Sequence, residues 1–276
     1  MLVIAARSEQ RGEETIRKLE EAVRKENGTI TTTMKAIKCD LTSLAEVREF
    51  AIKVSEITSK VDLLVLNAGA VEQSMFSRTN STSPDGIESV FMVNYVTSWY
   101  LYNHLLPLLK AAAKPRVVVT SGQLYKSATL PDGDLKPLAT PGSFHCMKAL
   151  SYAALAKVLF AQQAHRLHAA HGLVVNSLHP GSILETGFGR SQSSLAAWAS
   201  AWVVGPLMWL MGVRNTVSEG GNALLIASEA DEGGRYLCVA HWTPLAKQAL
   251  DADAADRLWA FTRDLVAQRA PLPPGV

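Results

Sequence analysis

Cysteine is scarce in this chain, with 3 in 276 residues at positions 39, 146 and 238. The number is odd and the spacing wide. A disulfide framework is therefore excluded, and the thiols read as free groups in a reducing, cytoplasmic setting. No Cys-x-x-Cys pair or His/Cys cluster has the spacing of a metal site, so no metal is expected. Charge of one sign is lacking too. Against 25 Asp and Glu stand 27 Lys and Arg, a formal net charge of +2, with no long basic run. A nucleic-acid partner needs a concentrated cationic face, and none is expected here. The opening Met1–Ala6 is too short for a signal-peptide core and runs into a charged helical pattern, so it reads as a buried strand.

Hydrophobic residues make up 48% of the chain, enough for one globular domain over residues 1–276 with a full core. Short apolar runs alternate with amphipathic stretches, the pattern of a parallel sheet covered by helices. Strands are expected at Leu2–Ala6, Met34–Cys39, Val61–Leu66, Arg116–Thr120, Leu173–Leu178 and Gly234–Val239. Ser8 caps a first helix that ends before Gly28, and Ser43-x-x-Glu46 is a capping box opening a second. Further helices are expected near 87–112, 144–169 and 253–269. The fold class is α/β, a three-layer, doubly wound parallel sheet of Rossmann type.

In such sheets ligands bind beyond the carboxyl ends of the strands. Five successive strand ends carry polar or small residues: Arg7, Asp40, Asn67-Ala68-Gly69, Thr120-Ser121 and His179-Pro180-Gly181. Each alone could serve a cap or a turn. Together, after five strands in succession, they mark one edge as the candidate site.

These residues carry a resemblance. Ala5-Ala6-Arg7 with Arg11-Gly12-Glu13-Glu14, Cys39-Asp40-Leu41-Thr42, Asn67-Ala68-Gly69, Phe91-x-Val93-Asn94, Val119-Thr120-Ser121 and Val175-Asn176-Ser177-Leu178-His179-Pro180-Gly181 form one set. Glu219-Gly220, Gly234-Arg235-Tyr236 and Arg257-Leu258-Trp259 extend it. The set is similar to the short-chain dehydrogenase/reductase family, in its retinol-dehydrogenase and WW-domain-oxidoreductase branch, over nearly the whole chain. The resemblance implies an oxidoreductase that interconverts an apolar alcohol and its carbonyl with NADP(H). Arg7 would meet a 2′-phosphate, favouring NADP over NAD. Asp40 and Leu41 would contact adenine, Asn67, Ala68 and Gly69 the ribose, and Pro180, Gly181 and Thr186 the nicotinamide. Ser121 would hydrogen-bond the substrate oxygen, and Asn94 would hold a water in a proton relay. Family members often pair through their long helices, so the resemblance implies a homodimer by analogy alone.

Two family features are missing. The first strand, Gly-rich turn and first helix have no counterpart, and that turn would cradle the pyrophosphate. The missing strand would lie between Leu2–Ala6 and Val61–Leu66. Its removal would leave two unpaired edges facing a gap, so either the remaining strands close up in a new register or the sequence is an incomplete product, and incompleteness is expected. The family's Tyr-x-x-x-Lys is absent as well. A gap-free register puts Leu150 and Ala154 at its two positions; a gapped one would put Phe144 and Lys148 there. Tyr152, one turn beyond Lys148, is a relocated candidate proton donor, although a Tyr half-buried on an amphipathic helix is the expected reading. Tyr125 with Lys126 is a weaker pair.

Residues 195–213 are almost wholly apolar. The resemblance makes the segment at about 184–215 a lid over an apolar substrate. A helix lying on a membrane surface comes second and a spanning helix a distant third. Two functions stay open. One is an oxidoreductase in which Asn94 and Ser121 survive. The other is a pseudoenzyme that binds or regulates with the same fold.

Overall fold

The computed structural model describes residues 1–26, 28–71, 81–183, 215–273 and 275–276. Strand β1 (Leu2–Ala6) leads into helix α1 (Glu9–Lys25) and strand β2 (Met34–Lys38), and the two strands pair in parallel from Leu2↔Met34 to Ala6↔Lys38. Ser8 caps α1 by accepting the Arg11 N–H. Gly12 faces the sheet so closely that a Cβ there would come 2.4 Å from the Ala36 Cβ. Only glycine lets α1 lie this near β2.

Helix α2 (Leu44–Ile57) starts at Ser43, whose hydroxyl accepts the Glu46 N–H. The expected capping box closes differently. Glu46 Oε2 accepts the N–H of Asp40, at 2.8 Å, and so ties the helix to the end of β2.

A second sheet holds β3 (Leu63–Leu66), β4 (Arg116–Thr120), β5 (Val174–His179), β6 (Tyr236–Cys238) and β7 (His241–Thr243), in that order. The first four run parallel, and β7 turns back antiparallel on β6. The hairpin strand β7 was not expected from the sequence. Between β3 and β4 lie the single turn α3 (Ser89–Phe91), a π-helical turn over Met92–Val96, and α4 (Thr97–Lys110). Then come α5 (Lys136–Ala139), the long α6 (Cys146–His168), α7 (Val217–Glu229) and α8 (Ala252–Ala267).

The sheet is thus divided. The two-stranded sheet ends at β1 and the five-stranded sheet begins at β3, with no ladder between them among the described residues. Of the two outcomes weighed for the missing strand, the strands have not closed up. Parallel strands buried on both faces read as continuous apolar runs, but on β3 Leu63 and Val65 are 44% and 42% exposed while Leu64 and Leu66 are buried. The core lies on the α4–α6–α8 side. There Phe160 stacks on Trp259 and meets Tyr95 and Tyr102 edge-on.

Candidate active site

The carboxyl ends of β3 and β4 converge through side chains. Thr120 Oγ1 donates to Asn67 Oδ1 at 2.9 Å. Ser121 is anchored by its own N–H, which bonds the Leu178 carbonyl at 2.7 Å, and its hydroxyl donates to the Ala154 carbonyl of α6 at 2.9 Å. That proton is therefore committed to the helix backbone. Ser121 Oγ keeps its lone pairs, so it can accept from an alcohol but must rotate to donate to a carbonyl.

Asn94 sits in the π-helical turn, a distortion found often at functional sites. Its Oδ1 accepts the Ala70 N–H at 3.1 Å, and its Nδ2 donates to the carbonyls of Ala70 at 2.8 Å and Val90 at 2.7 Å. Both amide hydrogens are used within the protein. Asn94 thus acts as a clamp on the segment after Gly69, which the expected water-holding role did not foresee.

Asn67, Ala68 and Gly69 are exposed at this edge. Arg7 is exposed past β1 and makes no ion pair among the described residues. Asp40 Oδ1 accepts from both the N–H and the hydroxyl of Thr42, at 2.9 Å each, so one oxygen is taken by its own turn. Pro180-Gly181 is held by Asn215, which exchanges two bonds with Ser182. Gly181 has φ +97°, and a Cβ there would lie 2.3 Å from Asn215 Oδ1, so that turn requires glycine. Thr186 and the lid segment at 184–214 fall outside the described residues.

The bond from Ser121 to Ala154 supports the gap-free register. On α6 Leu150 packs in a small cluster with Val71, Val90, Cys146 and Ala149. Ala154 thus meets Ser121 through its carbonyl, and Leu150 packs in the cluster of Val90, whose carbonyl Asn94 bonds. Tyr152 lies about 160° around the helix from Ala154. Its ring packs on Phe144 at 4.9 Å, with the Lys148 ammonium 5.7 Å above it. The structure does not bring Tyr152 to Ser121. Tyr152→Phe is expected to leave any NADPH-dependent turnover within about twofold of the parent, a change of under 0.5 kcal/mol in the barrier. A steady-state assay showing a larger loss would reinstate that phenol as a proton donor. Tyr125 is buried as well, its hydroxyl accepting the Ala246 N–H at 3.2 Å.

Sequence reasoning missed Lys157. It is 4% exposed, and its Nζ donates to the carbonyls of Ala68 and Thr120, at 2.9 Å each. Burial pushes its pKa down to about 7. The signal was available: 150, 154 and 157 share one helical face.

The strand-end residues fit parts of a dinucleotide unequally. Arg7, Asp40 and Asn67–Gly69 offer a cation, a carboxylate oxygen and exposed backbone for an adenosine ribose. A pyrophosphate needs converging backbone N–H groups at a helix start, and the two helix starts that follow Arg7 and Asp40 are already capped, α1 by Ser8 and α2 by Ser43 and Asp85. No three His, Cys, Asp or Glu side chains cluster to hold a metal among the described residues. A concavity of about 650 Å³ lies at the opposite, amino-terminal edge of the sheet. Four of its charges form two ion pairs, Arg116 with Asp231 and Arg235 with Glu232.

The sheet order and the polar strand ends define a Rossmann-type α/β domain. The short-chain dehydrogenase family profile matches residues 1–128. Retinol dehydrogenase 13 of Homo sapiens is 31% identical over 245 residues, covering 88% of this chain and 72% of that protein. WW domain-containing oxidoreductase of Danio rerio is 29% identical over 250 residues, covering 87% of this chain and 57% of that protein. The chain belongs to the short-chain dehydrogenase/reductase family of oxidoreductases, in its retinol-dehydrogenase-like branch. Among solved structures, an NADPH-bound short chain oxidoreductase of Pseudomonas aeruginosa PAO1 "containing an atypical catalytic center" superposes with a TM-score of 0.62 at 19% identity, over 86% of this chain and 84% of that one. A second, the NADPH-bound carbonyl reductase from chicken fatty liver, gives a TM-score of 0.55 at 22% identity, over 86% and 83%. These two likenesses concern the fold.

Proposed function

We propose that this chain is an oxidoreductase-type protein for an apolar alcohol and the matching carbonyl, with NADP(H) as its nucleotide, and that its turnover is impaired. One observation carries the reading. The helical face opposite Ser121 and Asn94 presents Leu150 and Ala154, neither of which can hold or move a proton. Arg7, free of ion pairs among the described residues, supports NADP over NAD. The apolar character of residues 195–213 supports an apolar substrate and contact with a membrane surface. Among the described residues no helix is long and apolar enough to cross a membrane. Pairing of two copies through the long helix belongs to the same reading.

The test is NADPH oxidation with retinal as the aldehyde. Slow turnover is expected, and Ser121→Ala lowers it at least tenfold, the loss of about 1.4 kcal/mol of transition-state bonding. Residual turnover unchanged in that variant would remove Ser121 from the site. A second reading, a binding protein without turnover, is favoured by Leu150 and Ala154 on α6, which leave no proton donor beside Ser121. A ligand that binds only the native state raises the melting temperature. If retinal raises it and NADPH does not, the second reading replaces the first.

A further inference from the structure

Lys157 is the buried amine that the proposed activity leaves unused. Its two acceptors belong to different strands. Thr120 closes β4, and Ala68 lies two residues past β3. The ladder between these strands has already ended, at the pair Leu66↔Val119. Beyond it the strand ends are joined by side chains alone, through Lys157 and the Thr120–Asn67 bond. No ladder holds β3 on its other side among the described residues. A single ammonium reaching both carbonyls therefore spans the place where this sheet is least supported.

The same helix holds the neighbouring group. Ala154, one turn before Lys157 on the same face, accepts the Ser121 hydroxyl. Residues 154 and 157 thus grip three consecutive parts of the site: Ala68, Thr120 and Ser121. No carboxylate pairs with Lys157 among the described residues, so its alignment comes from the two carbonyls. A lysine amine carries at least two N–H groups in either protonation state. Burial lowers its pKa to about 7, and both states can make the two bonds.

We propose that Lys157 is a positioning residue that ties the Asn67–Gly69 turn to the Thr120–Ser121 strand end, holding the turn and the Ser121 hydroxyl in one frame. The proposal goes beyond the activity above and rests on no turnover.

Hydrogen–deuterium exchange on the ligand-free protein tests it, with Lys157→Met and Lys157→Gln beside the parent. In the Met variant the amides of Ala70 and Ser121, bonded to Asn94 and Leu178, are expected to exchange at least tenfold faster. Those of β5 and α8 should keep their rates. The Gln variant, with two donors on a shorter arm, should fall between. Undiminished protection at the two strand ends would overturn the proposal. So would a uniform rise throughout the chain, the result of lost packing alone. Should the Met variant fail to fold, the parent labelled with ¹⁵N at lysine Nζ decides at pH 5.5, where Lys157 is protonated. One protected, slowly exchanging ammonium resonance that disappears in Lys157→Gln is expected, and its absence counts against the clamp. No nucleotide or substrate enters either measurement. Failure here leaves the proposed activity standing, and failure of the NADPH assay leaves the clamp standing.

Discussion

Leu150→Tyr combined with Ala154→Lys is expected to raise NADPH-dependent reduction of an apolar aldehyde by about 100-fold or more over the parent, the usual worth of a positioned general acid. The Ser121–Ala154 bond and the packing of Leu150 against Val71 and Val90 support a place for the two positions on the face of α6 toward Ser121 and Asn94. A phenol at 150 would supply the proton that Leu150 cannot. An ammonium at 154 would favour the phenolate and lower the pKa of that phenol. Leu150→Tyr alone should do less, because a phenol in an apolar cluster stays weakly acidic. Two costs oppose the gain. Leu150 is 6% exposed, so a larger ring there overpacks the cluster, by about 1–3 kcal/mol. A second ammonium one turn from Lys157 also pushes the Lys157 amine further toward its neutral form. Adding Ser121→Ala to the double variant should return the rate to its starting level. A double variant that is visibly stabilised by NADPH yet gains nothing would show that these positions do not limit turnover.

Lys157→Met is expected to abolish a pH dependence of stability that the parent carries between pH 7 and 10.5. Free lysine titrates at 10.5, and burial lowers Lys157 to about 7 in the folded chain. Between these values the unfolded chain holds the proton and the folded chain does not, so the stability of the parent rises with pH across that window. Below pH 7 both states are protonated, and the cost of burying the charge is present in full. The displacement corresponds to an upper bound on the order of 5 kcal/mol. Methionine has no such titration. The difference in unfolding free energy, parent minus variant, should therefore grow by several kcal/mol from pH 7 to 10 in denaturant titrations. The buried tyrosines titrate in both proteins and cancel in that difference. A difference that stays constant with pH would mean that Lys157 is not buried as a nearly neutral amine.

Much of this was legible in the chain itself. The apolar runs at Leu2–Ala6, Val61–Leu66 and Val117–Val119 announce strands because a parallel strand covered on both faces has no polar side. The polar residues that end them mark the site edge for the same reason. Lys157 was not legible as a site residue, although its face could be read. Its partners are backbone carbonyls, which leave no trace in residue identity. The clamp that Asn94 makes was not legible for a similar reason: two backbone groups, of Ala70 and Val90, take its amide hydrogens. The strand β7 escaped because His241–Thr243 is three residues long, too short for an alternation to register. The reach of Glu46 past Ser43 to Asp40 depends on how the loop folds, and spacing alone cannot supply that.

Among the described residues the opening βαβ unit and the five-stranded sheet carry separate hydrogen-bond ladders. Hydrogen-bond ladders make neighbouring strands melt together, and among the described residues no ladder crosses this seam. The opening βαβ unit is joined to the remainder by packing through α2 instead, where buried Val47, Phe50 and Val54 face the main core. Fluctuations that loosen α2 would release the first forty residues or so as a body while the five-stranded sheet stays intact. Arg7 and Asp40 lie on one side of that seam, and Ser121, Asn94 and Lys157 on the other. Any molecule that touched both groups would act as a splint across it.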